Sequence, residues 1–167
     1  MKGHGGGFLF DSSLTRRARP ASIAVGSAIV DSGPDQEATT DMKREIIQPA
    51  GTTPGGILSP GIRVGDLIWT AGSTGSNPET GETPNDIQEQ TRQTLEKLKK
   101  VVEAAGSSFA SVIKVNIYLT DISERPAVNE VYKTYFPTNP PGRTCIGGAG
   151  FDGNTRIEIE MVAVVES

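Results

Sequence analysis

The chain has 167 residues, of which 35% are hydrophobic and 22% are charged, and this is enough apolar material for one modest core. Its formal net charge is −4 at pH 7, which argues against a general nucleic-acid binder because such proteins normally present a basic face. The only histidine, His4, lies in a glycine-rich start, and the only cysteine is Cys145, so histidine-based catalytic triads, zinc sites of clustered His and Cys, and an internal disulfide are excluded from the folded part.

Residues 1–41 differ in composition from the rest and are predicted to form a flexible extension, followed by one domain over residues 42–167. The basic run at residues 16–19 is compatible with an organelle transit segment, but a poorly structured extension or a mis-assigned start, with Met42 as the alternative, is favoured. Residues 22–30 are too few to span a bilayer, so no membrane partner is expected. We expect a cytoplasmic protein, with the mitochondrion as the alternative.

The first elements of the domain are predicted to be strands. Residues 44–48 form a short strand, residues 49–60 a loop, and residues 62–72 a hairpin that turns at Gly65 and Asp66. Trp69, in the second strand of this hairpin, is expected to be a core residue.

Two helices are predicted, with a strand between them. The first begins at Asn85 as N-cap, with Gln88 as its capping-box partner, and ends before Gly106. The second starts at Ser123 and ends near Pro137. The strand, residues 113–119, alternates apolar and polar side chains, which places one of its faces on the helices. Each helix carries an apolar stripe that belongs to the core: Ile87, Thr91, Thr94, Leu95, Leu98, Val101, Val102 and Ala105 in the first, and Val128, Val131, Tyr132, Tyr135 and Phe136 in the second.

The last two strands, residues 142–148 and 155–165, carry the chemistry. Period-two alternation in the final strand places Ile157, Ile159, Met161, Ala163 and Val165 on one face and Glu158, Glu160, Val162 and Val164 on the other. A carboxylate in an apolar strand needs a partner, a wet cavity or a functional role. Arg143 is the nearest candidate partner in the sequence. If an arginine and a carboxylate face one cavity, the arginine can bind an anionic substrate and the carboxylate can orient a water molecule.

The order of elements predicts an α+β domain with a mixed sheet and two helices on one face. The other face carries both polar and apolar side chains. It is too polar to be the core of a monomer and too apolar to face solvent. Self-association into a closed symmetric oligomer is therefore expected, with the site where two chains meet.

Seven segments together resemble the RidA/YjgF family of reactive-intermediate deaminases. They occur in order between about Ile62 and Val165, at residues 67–72, 77–82, 90–95, 102–106, 128–132, 142–145 and 157–160. The resemblance implies a chorismate-mutase-like fold, a barrel-like homotrimer and three clefts between subunits. It also implies hydrolysis of 2-imino acids, formed from enamines such as 2-aminoacrylate, to 2-keto acids and ammonia, with no metal and no organic cofactor.

The resemblance also implies roles for particular residues. Arg143 binds the substrate carboxylate, for which its planar fork of donors is suited, and Glu158 orients the hydrolytic water. The backbone of Cys145 borders the pocket, and a backbone group of Gly72 approaches the ligand. Asn129, on a helix, supports the cleft.

Two positions depart from the family pattern. Leu58 stands where the family has a pocket tyrosine, which removes a hydroxyl from the substrate-binding site. Residues 147–150 are Gly-Gly-Ala-Gly where the family has a bulky or acidic continuation, which is expected to enlarge or loosen one wall. A larger substrate or a lower deaminase activity is the expected consequence.

Each site residue also has a structural interpretation. Glu158 could pair with a lysine across an interface, and Arg143 could form a structural ion pair, although their joint match favours function. Cys145 is expected to be a strand residue and not a nucleophile, and Glu160 to be structural. Three functions remain open: an imine hydrolase, with a hydrolase of another imine or amide as its variant; a non-catalytic trimer that senses a carboxylate metabolite; and, ranked last, a ribonuclease.

Overall fold

The structure is a computed structural model that describes residues 43–52 and 56–166. The predicted extension, residues 1–41, and the alternative start at Met42 lie outside the described residues. Within the described ranges, neither helix is long and apolar enough to cross a bilayer.

Seven strands form one mixed sheet. They are β1 (Arg44–Ile47), β2 (Gly61–Val64), β3 (Leu67–Thr70), β4 (Ser73–Thr74), β5 (Val112–Leu119), β6 (Gly142–Ile146) and β7 (Ile157–Val164). Their order in the sheet is β1-β2-β3-β7-β5-β6, with β4 paired to β7. Every pair is antiparallel except β5 and β6, which run parallel because a helical crossover connects them. The predicted mixed sheet is confirmed.

The predicted hairpin is formed by β2 and β3, which are joined at Gly65 and Asp66. Gly65 has φ +58°, a conformation that glycine adopts without steric cost. β3 ends at Thr70, two residues before the predicted end at Gly72, because the chain leaves β2 there and β4 pairs with β7 instead.

Helix α1 (Ile87–Ala104) begins one residue later than predicted. The carboxylate of Asp86, and not the amide of Asn85, caps it by accepting the backbone N–H groups of Gln88 at 3.3 Å and Glu89 at 3.2 Å. The Asn85 side chain instead accepts a hydrogen bond from Asn154 at 2.8 Å. Gly106 follows the C-terminus with φ +79°, as predicted.

Helix α2 (Arg125–Tyr135) follows a short 3₁₀ turn at Ile122–Glu124, so the predicted start at Ser123 lies inside that turn. The Asp121 carboxylate caps the turn by accepting the Ser123 N–H at 2.8 Å. Pro126 lies in the first turn of α2. Backbone N–H groups in a first turn have no acceptor within the helix, so a proline there breaks no hydrogen bond.

Both helices pack on one face of the sheet, as predicted, and the core lies between them. All eight predicted core positions of α1 are buried, and so are four of the five in α2, where Tyr135 is half-buried. The inward face of β7 is also as predicted up to Ala163, whereas Val165 lies beyond the end of the strand and donates its N–H to the Asp66 carbonyl at 2.8 Å. The largest fully buried side chains are Ile68, Leu95, Leu98, Ile117, Leu119, Ile157, Ile159, Met161, Gln90, Val102, Val115 and Val128.

The opposite face of the sheet has no helix on it. Trp69 lies on this open face and is 41% exposed, so its prediction as a core residue is wrong: its strand neighbours Ile68 and Thr70 point to the helices. Ile113 is likewise 49% exposed, because a β-bulge between Val112 and Lys114 moves Val112 into the inward position that alternation had given to Ile113.

Candidate functional site

Arg143 lies on β6, the edge strand, and is held by helix α2. It pairs in register with Val115, which is fully buried, so its side chain leaves the sheet on the helix side. Its Nη1 donates to Oδ1 of Asn129 at 2.8 Å. The centre of the guanidinium group is 4.7 Å from the centroid of the Tyr132 ring. One amide oxygen and one aromatic face therefore fix the position of this cation.

The Arg143 side chain opens into a cleft of about 400 Å³. Its lining is Asn129, Tyr132, Lys133, Phe136, Pro140, Pro141 and Arg143. No carboxylate of the described chain forms a salt bridge with Arg143, so the structural ion-pair interpretation finds no partner there. An exposed arginine with two uncharged supports is available to an anionic ligand.

Cys145 lies two residues further along β6, opposite Ile117. Its half-buried side chain packs against the core, as expected for a strand residue. Burial raises the pKa of the thiol, although Arg143 and Arg125 act in the opposite direction. The thiol therefore stays protonated near neutral pH and is a poor nucleophile.

Glu158 lies on β7 and faces the open side of the sheet, where it pairs in register with Tyr118. Its carboxylate lies directly over the backbone of Gly72: a Cβ atom added at Gly72 would be 1.8 Å from Oε1. The side chain enters a cleft of about 450 Å³ that is lined by Thr74, Gly150, Phe151, Asp152, Thr155 and Glu158. In the described part of the chain, no side chain forms a salt bridge with this carboxylate.

Leu58 lies near Gly72, in the loop that precedes β2, and is 62% exposed. Both residues line a neighbouring cleft of about 430 Å³, whose floor includes Lys97 and Val101 of α1. The Lys97 amine donates to the Ser76 carbonyl at 2.9 Å, and burial lowers its pKa. Gly72 thus lies against Glu158 and also lines the cleft of Leu58, whereas Leu58 and Glu158 line different clefts. We call Leu58, Gly72 and Glu158 the Glu158 group.

The first group, Arg143 with Asn129 and Cys145, which we call the Arg143 group, does not meet the Glu158 group within one chain. Arg143 is level with Val115 on β5 and Glu158 with Tyr118, and residues three apart on a strand point to opposite faces. Arg143 and Glu158 therefore do not face one cavity within a single chain, and the expectation that they share a cleft where two chains meet stays a prediction. The register between β6 and β7 through β5 decides this, and neither strand's own sequence contains that information.

Glu160 has the structural role that was expected. One of its oxygens accepts hydrogen bonds from Asn116 and from the Tyr118 hydroxyl, both at 2.9 Å. The Tyr118 pKa is raised, first by this hydrogen bond and then by desolvation and the nearby carboxylate charges. Glu160 is therefore part of a polar network on the open face, beside Glu158.

The glycine-rich segment after β6 forms a turn and part of a wall. Gly147 packs against the backbone of Ile122, and a Cβ atom there would be 2.8 Å from the Ile122 nitrogen. Gly148 has φ +85°, and its N–H donates to the Thr120 carbonyl at 3.2 Å. Gly150 lines the cleft that contains Glu158, which agrees with the expected small-residue wall.

Sequence reasoning missed two residues that shape the site. Tyr132 was assigned only to the core stripe, although its spacing of three from Asn129 places both on one helix surface. Gln90 is fully buried in α1, where no pattern marks it. Its amide donates to the carbonyls of Pro84 at 2.7 Å and Asn154 at 2.9 Å and accepts the Arg156 N–H at 3.0 Å, which fixes the entry to β7.

Within residues 43–52 and 56–166, no group of three or more His, Cys, Asp or Glu residues is arranged to hold a metal ion.

Comparison with known proteins gives consistent matches over most of the chain. The family model described as Endoribonuclease L-PSP matches residues 50–165. A Dermatophagoides farinae protein named 2-iminobutanoate/2-iminopropanoate deaminase is 35% identical over 125 residues, which are 74% of this chain and 98% of that protein. The Escherichia coli K12 protein of the same name is 36% identical over 107 residues, which are 62% of this chain and 84% of that protein.

Solved structures agree with these matches. The crystal structure of Escherichia coli TdcF with bound serine has a TM-score of 0.66 and 34% identity, and the match covers 73% of this chain and 99% of that one.

Proposed function

The chain belongs to the RidA/YjgF family of reactive-intermediate deaminases, and we propose on that premise that it hydrolyses 2-imino acids and their enamine precursors to 2-keto acids and ammonia. Relatives that carry the name 2-iminobutanoate/2-iminopropanoate deaminase support this activity. TdcF is described with bound serine, an amino acid with the same carboxylate and α-nitrogen as a small imino acid, and this supports the substrate class.

The observation that carries the proposal is that one arginine and one glutamate each lack a partner of opposite charge in the described part of the chain. Among the described residues, neither the Arg143 guanidinium nor the Glu158 carboxylate has a salt-bridge partner, and each lines an open cleft. A substrate that has a carboxylate at one end and an electrophilic carbon next to it can use both groups. Arg143 binds the carboxylate, and Glu158 orients the attacking water and accepts its proton.

Because the two groups leave opposite faces of one sheet, we infer that the site forms between subunits of a barrel-like homotrimer with chorismate-mutase-like protomers. The Arg143 group of one subunit then faces the Glu158 group of its neighbour. The open face supports this assembly, since Leu67, Trp69 and Ile146 on it are 37%, 41% and 49% exposed. A closed ring covers this surface in every subunit.

The chemistry of the proposed reaction is a hydration followed by loss of ammonia. The iminium form of the substrate carries its positive charge on nitrogen, and Arg143 holds the adjacent carboxylate. Glu158 accepts a proton from water as the water oxygen bonds to C2, and this gives a carbinolamine. The proton then returns to the nitrogen, and the C–N bond breaks as Glu158 takes the proton of the C2 hydroxyl group. The 2-keto acid and ammonia leave, and that proton passes to the ammonia to give an ammonium ion. A positioned carboxylate base contributes about 10²–10⁴-fold to such a step.

Leu58 and Gly150 set the expected substrate range. Leu58 offers no hydroxyl to the substrate, and Gly150 offers no side chain to the cleft wall. Imino acids with apolar side chains longer than a methyl group are therefore the preferred substrates, because a longer apolar chain fills the space that Gly150 leaves beside Glu158.

The test is the release of ammonia and keto acid from imino acids generated in situ by an amino-acid oxidase, with semicarbazide competing for the imine. Arg143→Ala is expected to lower kcat/KM by about 100-fold or more, since charge-assisted hydrogen bonds to the carboxylate are lost. Glu158→Gln is expected to lower kcat by about 10²–10⁴-fold. Arg92→Ala and Glu103→Gln, exposed residues of α1 that pair with Glu89 and Lys99, are the matched controls and should behave as wild type.

A different result selects another function. If the wild-type protein binds 2-keto acids but does not accelerate hydrolysis of a small or a large imino acid, the protein is a carboxylate-binding trimer and the hydrolase proposal fails. Degradation of RNA that survives Glu158→Gln and Arg143→Ala would point to a ribonuclease with another site.

A further inference from the structure

We propose that Tyr132 is the positioning residue of the carboxylate site: its ring fixes the plane of the Arg143 guanidinium so that the free donors face the ligand. This inference rests on the proposed function, which it deepens by naming the residue that orients the binding group. The observation behind it is the guanidinium carbon of Arg143, 4.7 Å from the centroid of the Tyr132 ring.

Arg143 would otherwise be poorly ordered. It lies on an edge strand with an exposed side chain, and a free arginine loses side-chain entropy when it is fixed. The hydrogen bond from Nη1 to Asn129 occupies one of the five N–H donors but leaves the plane free to rotate about that contact. An aromatic ring against the guanidinium removes this freedom.

The support for the ring is itself rigid. Asn129 and Tyr132 are three residues apart on α2, so one helix surface presents both contacts. The Tyr132 ring lies 4.6 Å from the Phe136 ring, which stacks on Phe109 at 5.1 Å. Phe136 contacts Tyr132 directly and belongs to the core, and it holds Tyr132 in place before any ligand arrives.

The ring, and not the hydroxyl, performs this role. Tyr132 is only 6% exposed, and its hydroxyl oxygen has no hydrogen-bond partner in the part of the chain that the structure describes. Burial raises the pKa of Tyr132 to about 12, despite the nearby Arg143 charge, so the phenol is neutral at physiological pH. Neither a hydrogen bond nor a phenolate charge therefore acts on Arg143, which leaves the ring face.

The first test is the Kd of 2-ketobutanoate, measured by isothermal titration calorimetry on the full-length protein. Tyr132→Phe keeps the ring and should bind within about twofold of wild type. Tyr132→Leu removes the ring and should weaken binding about tenfold, which corresponds to about 1.4 kcal/mol. Phe109→Leu is the matched control, because it removes a ring that stacks on Phe136 and does not contact Arg143, and it should leave the Kd unchanged.

A second test separates the charge interaction from packing. Phenylalanines with one, two and five fluorine atoms, placed at position 132, keep the shape of the ring while they withdraw electron density from its face. The Kd should rise stepwise with fluorination. A flat series, or a Tyr132→Leu protein that binds as tightly as Phe109→Leu, would overturn the inference.

Arg143→Ala in the same titration separates this inference from the proposed function. If Arg143→Ala abolishes binding while the fluorinated series is flat, only the role of Tyr132 is wrong. If Arg143→Ala binds the keto acid as tightly as wild type, the carboxylate site itself is wrong, and both proposals fail.

Discussion

The position of the Glu158 carboxylate depends on the backbone at Gly72. The carboxylate occupies the space that a Cβ atom at residue 72 would need, at 1.8 Å from Oε1 and 2.7 Å from Cδ. Only a glycine therefore permits the observed position of Glu158 at the mouth of its cleft. Because the obstructing atoms are the end of a flexible side chain, a larger residue at position 72 displaces the carboxylate and leaves the fold intact.

This gives a prediction for Gly72→Ala. The variant should fold with a melting temperature close to that of wild type and hydrolyse imino acids about 100-fold more slowly, because a displacement of about 1 Å costs that much when a catalytic group is moved. Thermal unfolding and the coupled-oxidase assay measure the two quantities. Gly142→Ala is the control, since its added Cβ meets nothing closer than 3.5 Å. Full activity in Gly72→Ala would show that the position of Glu158 does not matter.

At the scale of elements, the sequence predicted types well and contacts across the sheet poorly. The apolar stripes of α1 and α2 and the alternation in β7 are local patterns, and the structure confirms them. The errors arise from non-local causes: the bulge that exposes Ile113 and the open face that exposes Trp69. Asp86 displaced Asn85 as the cap because two adjacent residues both suited the role.

In the candidate site, too, residue types could be predicted from local sequence, whereas contacts between strands could not. Arg143 and Glu158 could be selected from residue type and family resemblance, but their separation onto opposite faces depends on strand register. Tyr132 and Gln90 were missed because apolar periodicity gives no sign of a ring under a cation or of an amide that joins two loops.

The buried amide of Gln90 joins the loop before α1 to the loop before β7, and this gives a prediction about stability. Gln90→Leu conserves volume but leaves two carbonyls and one N–H without their partner, so it should lower the free energy of unfolding by about 2–4 kcal/mol. Urea unfolding measures the effect. Gln88→Leu, two residues away and half-exposed, is the control and should change stability by less than about 0.5 kcal/mol. Equal stability of the two variants would contradict the role of the buried amide.

At the scale of the whole molecule, the arrangement of charges and apolar surface points to assembly. The open face combines exposed Leu67 and Trp69 with the Glu160 network, and the two groups of site residues leave the sheet in opposite directions. A single subunit therefore holds two incomplete halves of the proposed site. The proposed homotrimer completes three sites at once, each with an arginine from one subunit and a glutamate from the next.

The most direct measurement is activity in mixed trimers of Arg143→Ala and Glu158→Ala subunits, co-expressed with different tags and purified through both. Each variant alone should be inactive. Purification through both tags leaves only trimers of composition 2:1 or 1:2, and in each of them one cleft of three combines an intact Arg143 with an intact Glu158. The mixture should therefore regain about a third of the wild-type rate. If the mixture is as inactive as its parents although mixed trimers are recovered, both residues act within one chain or not at all, and the proposed site between subunits is wrong.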